Sequence, residues 1–212
     1  MKLAVIFPGI GYHVDKPLLY YSKKIAEKYG YKTVPVPYGN FPSGVKGSAK
    51  KMEDSFYSAL AQTEEILKDT DFAAYEEILF LSKSVGTAVA AAYGQKHSLT
   101  TRNIYYTPVG PSFPLMNQPG IVFHGTKDGW VETALVKEEC KRRGLSLYII
   151  EGANHSLETG DVRKDLINLQ FIMEKTEAYI ESNRNVRESE KNEKKRCLYA
   201  NSEGRDQKFS WN

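Results

Sequence analysis

Cysteine is nearly absent: Cys140 and Cys197 are the only two in 212 residues. Two thiols build neither a disulfide framework nor a zinc site. The chain therefore reads as a protein of a reducing compartment, expected in the cytoplasm and without a metal or other cofactor. Long apolar runs are missing too. The first, Leu3-Ala4-Val5-Ile6-Phe7, has five residues, far fewer than the roughly 18 of a membrane span. It is also too short for a signal peptide and has no small-residue cleavage site behind it. Stable membrane insertion is not expected. Charge of one sign is lacking over most of the chain. The net charge is +3, and eight Lys/Arg against five Asp/Glu fall after Ser182, so the preceding 182 residues balance. A neutral body offers no electrostatic groove for nucleic acid, and none is expected as a partner.

What remains is ordinary globular material, with 41% hydrophobic and 26% charged residues. The length predicts about one domain. Short apolar runs at residues 3–7, 31–36, 77–81, 103–106, 120–124 and 145–150 read as six strands. Between them lie stretches of helical period. Leu18, Ser22, Ile25, Ala26 and Tyr29 share one face behind Pro17 and before Gly30. Ser48 caps a second helix, carried by Met52, Phe56, Ala59, Leu60 and Thr63. Further helices are expected from Val85, from about Trp130 to Arg143, and from near Asp161, the last with a periodic face ending at Ile180. Alternating strands and helices predict an α/β three-layer sandwich with a mainly parallel sheet of about six strands. Residues 1–182 form the expected domain. Residues 183–212 have seven scattered apolar residues without a period, and are expected to be a flexible charged tail.

The chemistry concentrates at strand ends. Ser82-Lys83-Ser84-Val85-Gly86 lies between the third strand and an alanine-rich helix. Small residues two before and two after a serine permit a sharp strand-to-helix turn that exposes its hydroxyl. By itself this motif is matched by a plainer reading, in which Ser84 caps a helix. After the fifth strand comes His124-Gly125-Thr126-Lys127-Asp128, and after the sixth Glu151-Gly152-Ala153-Asn154-His155. An acid and a histidine thus follow the carboxyl ends of successive strands, the edge where open parallel sheets bind ligands. Asp161 and Glu132 are fallback acids, although Asp161 also suits a helix cap. His13, His97 and His124 form no cluster with metal-ligand spacing. Gly9 and Gly11 lack the third glycine of a dinucleotide loop.

With Phe7-Pro8-Gly9-Ile10-Gly11, the serine turn, the H-G-x-x-D segment ending at Asp128 and the G-x-x-H segment ending at His155, residues 1 to about 182 resemble the α/β-hydrolase superfamily. The likeness is to small, capless members of the dienelactone-hydrolase and esterase type. Ser82 stands where the family has glycine, and Pro8 where it often has histidine. The resemblance implies Ser84 as nucleophile, His155 as general base and then acid, Asp128 as its orienting carboxylate, and the Ile10 and Val85 N–H groups as oxyanion hole. It further implies a serine hydrolase acting on a small-molecule ester or thioester through an acyl-enzyme. The alternatives are a non-catalytic binding protein on the same fold, or an acyltransferase or lyase using the same three residues. Tyr12, Tyr38, Phe41, Phe113, Leu115, Met116 and Trp130 lie in segments bordering the serine and are candidates for a substrate pocket. Substrate identity and oligomeric state leave no mark in the sequence.

Overall fold

The computed structural model describes residues 1–45 and 47–203, with side chains to residue 182. The chain divides into two compact units, Met1–Glu177 and Ala178–Asn212. Six strands form one sheet: β1 (Lys2–Phe7), β2 (Tyr31–Pro35), β3 (Glu77–Lys83), β4 (Arg102–Tyr106), β5 (Gly120–Gly125) and β6 (Ser146–Ile150). Every pairing is parallel, and the order is β2-β1-β3-β4-β5-β6. The fold class expected from the alternating pattern is therefore the one observed.

The helices are α1 (Pro17–Lys28), α2 (Ala49–Leu67), α3 (Val85–Lys96), α4 (Thr133–Arg143) and α5 (Val162–Glu203). Pro17 opens α1, where its missing N–H costs nothing. Ser48 caps α2 by accepting the Lys51 N–H. The helix expected from about Trp130 begins at Thr133, because Asp128 accepts the Trp130 N–H in a turn before the helix can start. The proline-rich segment after β4 holds a short 3-10 turn, Gly110–Leu115. Helix α5 continues to Glu203, beyond the periodic face that ends at Ile180. The side chains of the expected tail, and residues 204–212 altogether, lie outside the described residues.

Strand periodicity assigns the two faces of the sheet. Leu3, Val5, Phe7, Ile78 and Phe80 face one way, into a buried cluster with Ala59 of α2 and Val89 of α3. Farther along that face, Tyr105 and Val122 pack with Val136 and Cys140 of α4. On the other face Tyr106 hydrogen-bonds Ser22 of α1 and Thr176 of α5, so helices cover both sides. Coverage of both faces explains why β3 is buried from end to end.

Strand order sets where a ligand can enter. From β1 the chain goes by way of α1 to β2 on one side, whereas β3 and the later strands build out on the other. The loops leaving β1 and β3 therefore diverge, opening a crevice at their carboxyl ends.

Candidate active site

Three loops meet at that crevice. The first follows β1. Gly9 N–H donates to the Tyr12 carbonyl at 3.0 Å, and Tyr12 N–H to the Gly9 carbonyl at 3.2 Å. The closed ring leaves Ile10 and Gly11 at its tip. Gly11 has a φ of 72°, a conformation that glycine adopts without strain. Ile10 N–H has no protein acceptor among the described residues.

The second loop is the junction of β3 and α3. Ser84 has φ 56° and ψ −126°, outside the regions open to most residues with a side chain. Such strain persists only when the surroundings over-determine it. Here Ser84 N–H donates to the Tyr106 carbonyl at 3.0 Å, and the Thr87 N–H and hydroxyl both donate to the Ser84 carbonyl. Two small neighbours make the turn possible. A Cβ on Gly86 would stand 2.4 Å from the Phe7 and Pro8 carbonyl oxygens. Ser82, at the position where the hydrolases that the sequence resembles have glycine, is fully buried and donates its hydroxyl to the Ile104 carbonyl at 3.2 Å. The added hydroxyl thus finds a partner on β4. Val85 is the first residue of α3, where an N–H has no acceptor within the helix.

The third loop follows β6 and carries His155. Asn154 N–H donates to the Glu158 carbonyl, and Asn154 Oδ1 accepts the Ser156 N–H at 2.7 Å. His155 then projects between the other two loops. Its Nδ1 lies 2.8 Å from Asp128 Oδ2, and its Nε2 lies 2.8 Å from Ser84 Oγ. A carboxylate only accepts, so Nδ1 bears the proton and Nε2 is left to accept from the serine hydroxyl. Trp130 covers the ring, with centroids 5.4 Å apart.

Asp128 has a fully buried side chain. Burial pushes its carboxyl toward a higher pKa, but the hydrogen bond and charge of His155, the Trp130 N–H and the charge of His124 together hold it below the usual carboxylate value. His124 donates to or accepts from Thr133 at 3.0 Å, and burial keeps its imidazole below its ordinary pKa. Its Nδ1 stands 3.8 Å from Asp128 Oδ2, and both side chains are fully buried. The carboxylate on His155 Nδ1 is that of Asp128; Asp161 accepts the Arg163 and Lys164 N–H groups at the start of α5, and Glu132 precedes α4.

Two hollows lie at this edge, one lined by Ser84 itself and the other by its neighbour Val85. One, of about 290 Å³, is lined by Ile10, Val45, Met52, Ser84, Trp130 and His155. The other, of about 540 Å³, is walled by Met52, Phe56, Val85, Ala88, Val109 and Leu115. Met52 belongs to both. Of the seven pocket candidates, Leu115 and Trp130 line these hollows. Tyr38 is buried in the core beneath α3 and donates its hydroxyl to the Pro8 carbonyl, with Phe41 edge-on against it. Phe113 and Met116 are buried against α4. Tyr12 is buried, and its hydroxyl accepts the Leu18 N–H at 3.2 Å. Those five pack against the core because removing a large apolar side chain from water lowers the free energy. Met52, Phe56, Val85, Ala88 and Val109 were not singled out as pocket residues. Their helical or loop positions distinguish them from core residues only once α2 is seen to lie over α3.

No family model matches the chain, and no curated protein does. Solved structures do resemble it. A structure of Est1E from Butyrivibrio proteoclasticus with ferulic acid bound is 14% identical, with a TM-score of 0.61 over 85% of this chain and 88% of that one. An alpha-beta serine hydrolase homologue from Coxiella burnetii is 14% identical, with a TM-score of 0.60 over 82% and 84%. An esterase from Pyrococcus furiosus is 15% identical, with a TM-score of 0.58 over 85% and 82%. At such identities the likeness establishes architecture, and the architecture of this chain is the α/β-hydrolase fold.

Proposed function

We propose that the protein is a serine hydrolase that cleaves a small ester or thioester through an acyl-enzyme. The observation that carries this reading is the unbroken hydrogen-bond chain from Asp128 through His155 to Ser84, at the crevice where α3 begins and the loop after β1 has its tip. A serine hydroxyl is a weak nucleophile near neutrality and needs a base at hydrogen-bond distance. His155 Nε2 takes the Ser84 proton as Oγ attacks the acyl carbon. The Ile10 and Val85 N–H groups, the latter aided by the α3 dipole, receive the developing oxyanion. His155 then gives its proton to the departing alkoxide or thiolate. Water enters, loses a proton to His155 and attacks the acyl-enzyme. The same imidazole returns that proton to Ser84 as the acid leaves. Asp128 holds the tautomer and stabilises the imidazolium throughout.

The larger hollow supports an apolar acyl group as the part of the substrate that binds beside the nucleophile, since its walls are aliphatic and aromatic and include Val85 itself. The test is turnover of p-nitrophenyl esters. Wild-type protein is expected to hydrolyse them, and Ser84→Ala to lose about 10³-fold or more in kcat. Equal rates for the two would remove the proposal.

A further inference from the structure

We propose that Lys83 is a positioning residue: its Nζ donates to Thr107 Oγ1, which in turn holds the main-chain carbonyl of His155, so that one side chain from the nucleophile's strand braces the histidine's loop. The inference rests on the hydrolase reading above and adds to it a residue outside the reacting groups.

The geometry is continuous. Lys83 immediately precedes Ser84, yet it points to the opposite face of the sheet, in line with Leu79 and Leu81. It is almost wholly buried. Its Nζ lies 2.6 Å from Thr107 Oγ1, and Thr107 Oγ1 lies 3.0 Å from the His155 carbonyl oxygen. The carbonyl can only accept, so the Thr107 proton goes to it and a Thr107 lone pair faces Lys83. Both the ammonium and the amine form of Lys83 supply an N–H for that lone pair.

Thr107 shows an independent sign of constraint. It is β-branched and has a φ of 43°. This conformation suits glycine or asparagine, and in a branched residue it marks a position where something specific is required. Its own N–H donates to the Phe123 carbonyl at 2.8 Å, so the residue is fixed at both main chain and hydroxyl. Thr107 is fully buried and lines neither of the two hollows described above.

The surroundings of Lys83 bear on its charge. Tyr12, from the loop after β1, lays its ring 5.1 Å from Nζ, and Lys16 lies over the same ring at 5.4 Å. Burial pushes the Lys83 ammonium down to about 7, with Asp128 and Glu158 drawing it up and Lys16 drawing it further down. A lysine kept there at such a cost to its charged form, where an apolar residue of the same length would pack, is the pattern of a group retained for position rather than for stability.

The experiment compares Lys83→Met, Thr107→Val, Thr107→Ser and the Lys83→Met/Thr107→Val pair. The readouts are kcat and KM on a p-nitrophenyl ester, the rate of Ser84 labelling by a fluorophosphonate, and the melting temperature. Lys83→Met is expected to melt at or above the wild type while kcat and labelling fall about 10- to 100-fold at unchanged KM, as misplacement of a catalytic group does. Thr107→Val should lose as much, Thr107→Ser should stay within about twofold, and the double variant should lose no more than either single one, because both break one strut. Wild-type kcat in Lys83→Met or in Thr107→Val, or losses that multiply in the double variant, would overturn the proposal. If Lys83→Met does not fold, the Thr107 pair decides alone. An unlabelled wild type would instead remove the hydrolase reading.

Discussion

Ser84 Oγ and His155 Nε2 stand 2.8 Å apart although 71 positions separate them in the chain. Two strand ends and a strained serine produce that contact. Ser84 sits at the carboxyl end of β3, His155 on the loop leaving β6, and the parallel register of β3, β4, β5 and β6 brings those ends to one edge.

The third member of the chain should matter through orientation and charge. Asp128→Asn keeps the shape but offers an amide where His155 Nδ1–H needs an acceptor. Turnover of a p-nitrophenyl ester should fall by about 10³- to 10⁴-fold with little change in KM. Asp128 also links folding to pH. Its carboxyl is held below 3.8 in the folded chain, so its stabilising contribution is present above that value and is lost as pH falls through the lower folded value. The stability gap between wild type and Asp128→Asn, measured by urea unfolding, should therefore narrow below about pH 4.

The turn that presents Ser84 should fail if its tightest contact is filled. A Cβ at position 86 would meet two carbonyl oxygens at 2.4 Å and the Tyr38 hydroxyl at 2.8 Å. Main-chain atoms cannot move aside as a flexible side chain can. Gly86→Ala should cost about 3 kcal/mol or more, seen as a large drop in melting temperature. Unchanged melting would mean that α3 does not approach β1 as closely as described.

Much of this architecture was legible in the sequence, and the reasons are specific. Both faces of the sheet are covered, so strand segments such as 3–7 and 78–81 are apolar throughout and stand out against amphipathic helices. The order serine, aspartate, histidine after the third, fifth and sixth strands by itself puts three polar residues on one edge of a parallel sheet. The pocket was less legible. Tyr38, Phe113 and Met116 lie in loops by sequence, and only packing reveals that they complete the core. Lys83 reads in the sequence only as the residue before Ser84 in the serine motif. Strand alternation with Leu79 and Leu81 was the signal for its burial, but a charged residue is seldom buried unless paired, and its partner is 24 positions away. Where α5 ends was not legible either, since it runs to Glu203 without the periodic apolar face that marks its first turns.

The buried lysine should make stability depend on pH with a definite sign. Burial pushes its ammonium down to about 7 in the folded chain, from the 10.5 of a solvated lysine. Between those values the unfolded chain binds more protons, so this residue's contribution to stability rises with pH across that window. The gap corresponds to on the order of 5 kcal/mol. Lys83→Met should be stabilised relative to wild type most strongly at about pH 6 and least near pH 10, in paired urea titrations. A stabilisation that does not vary with pH would mean that Lys83 keeps its ordinary pKa.

Acyl selectivity should follow the larger hollow. Ala88 lines it from α3. Ala88→Leu should leave kcat/KM for an acetyl ester within a few-fold while lowering that for a hexanoyl ester by about 10- to 200-fold, the scale on which apolar pockets discriminate. Equal losses for both esters would place the acyl chain elsewhere.

The most direct measurement is covalent labelling with a fluorophosphonate followed by mass spectrometry of the modified peptide. A hydroxyl activated by His155 at 2.8 Å should react, with one adduct on Ser84 in the wild type and none in Ser84→Ala. An adduct on Ser82, labelling that persists in Ser84→Ala, or a wild type that stays unmodified would contradict the account.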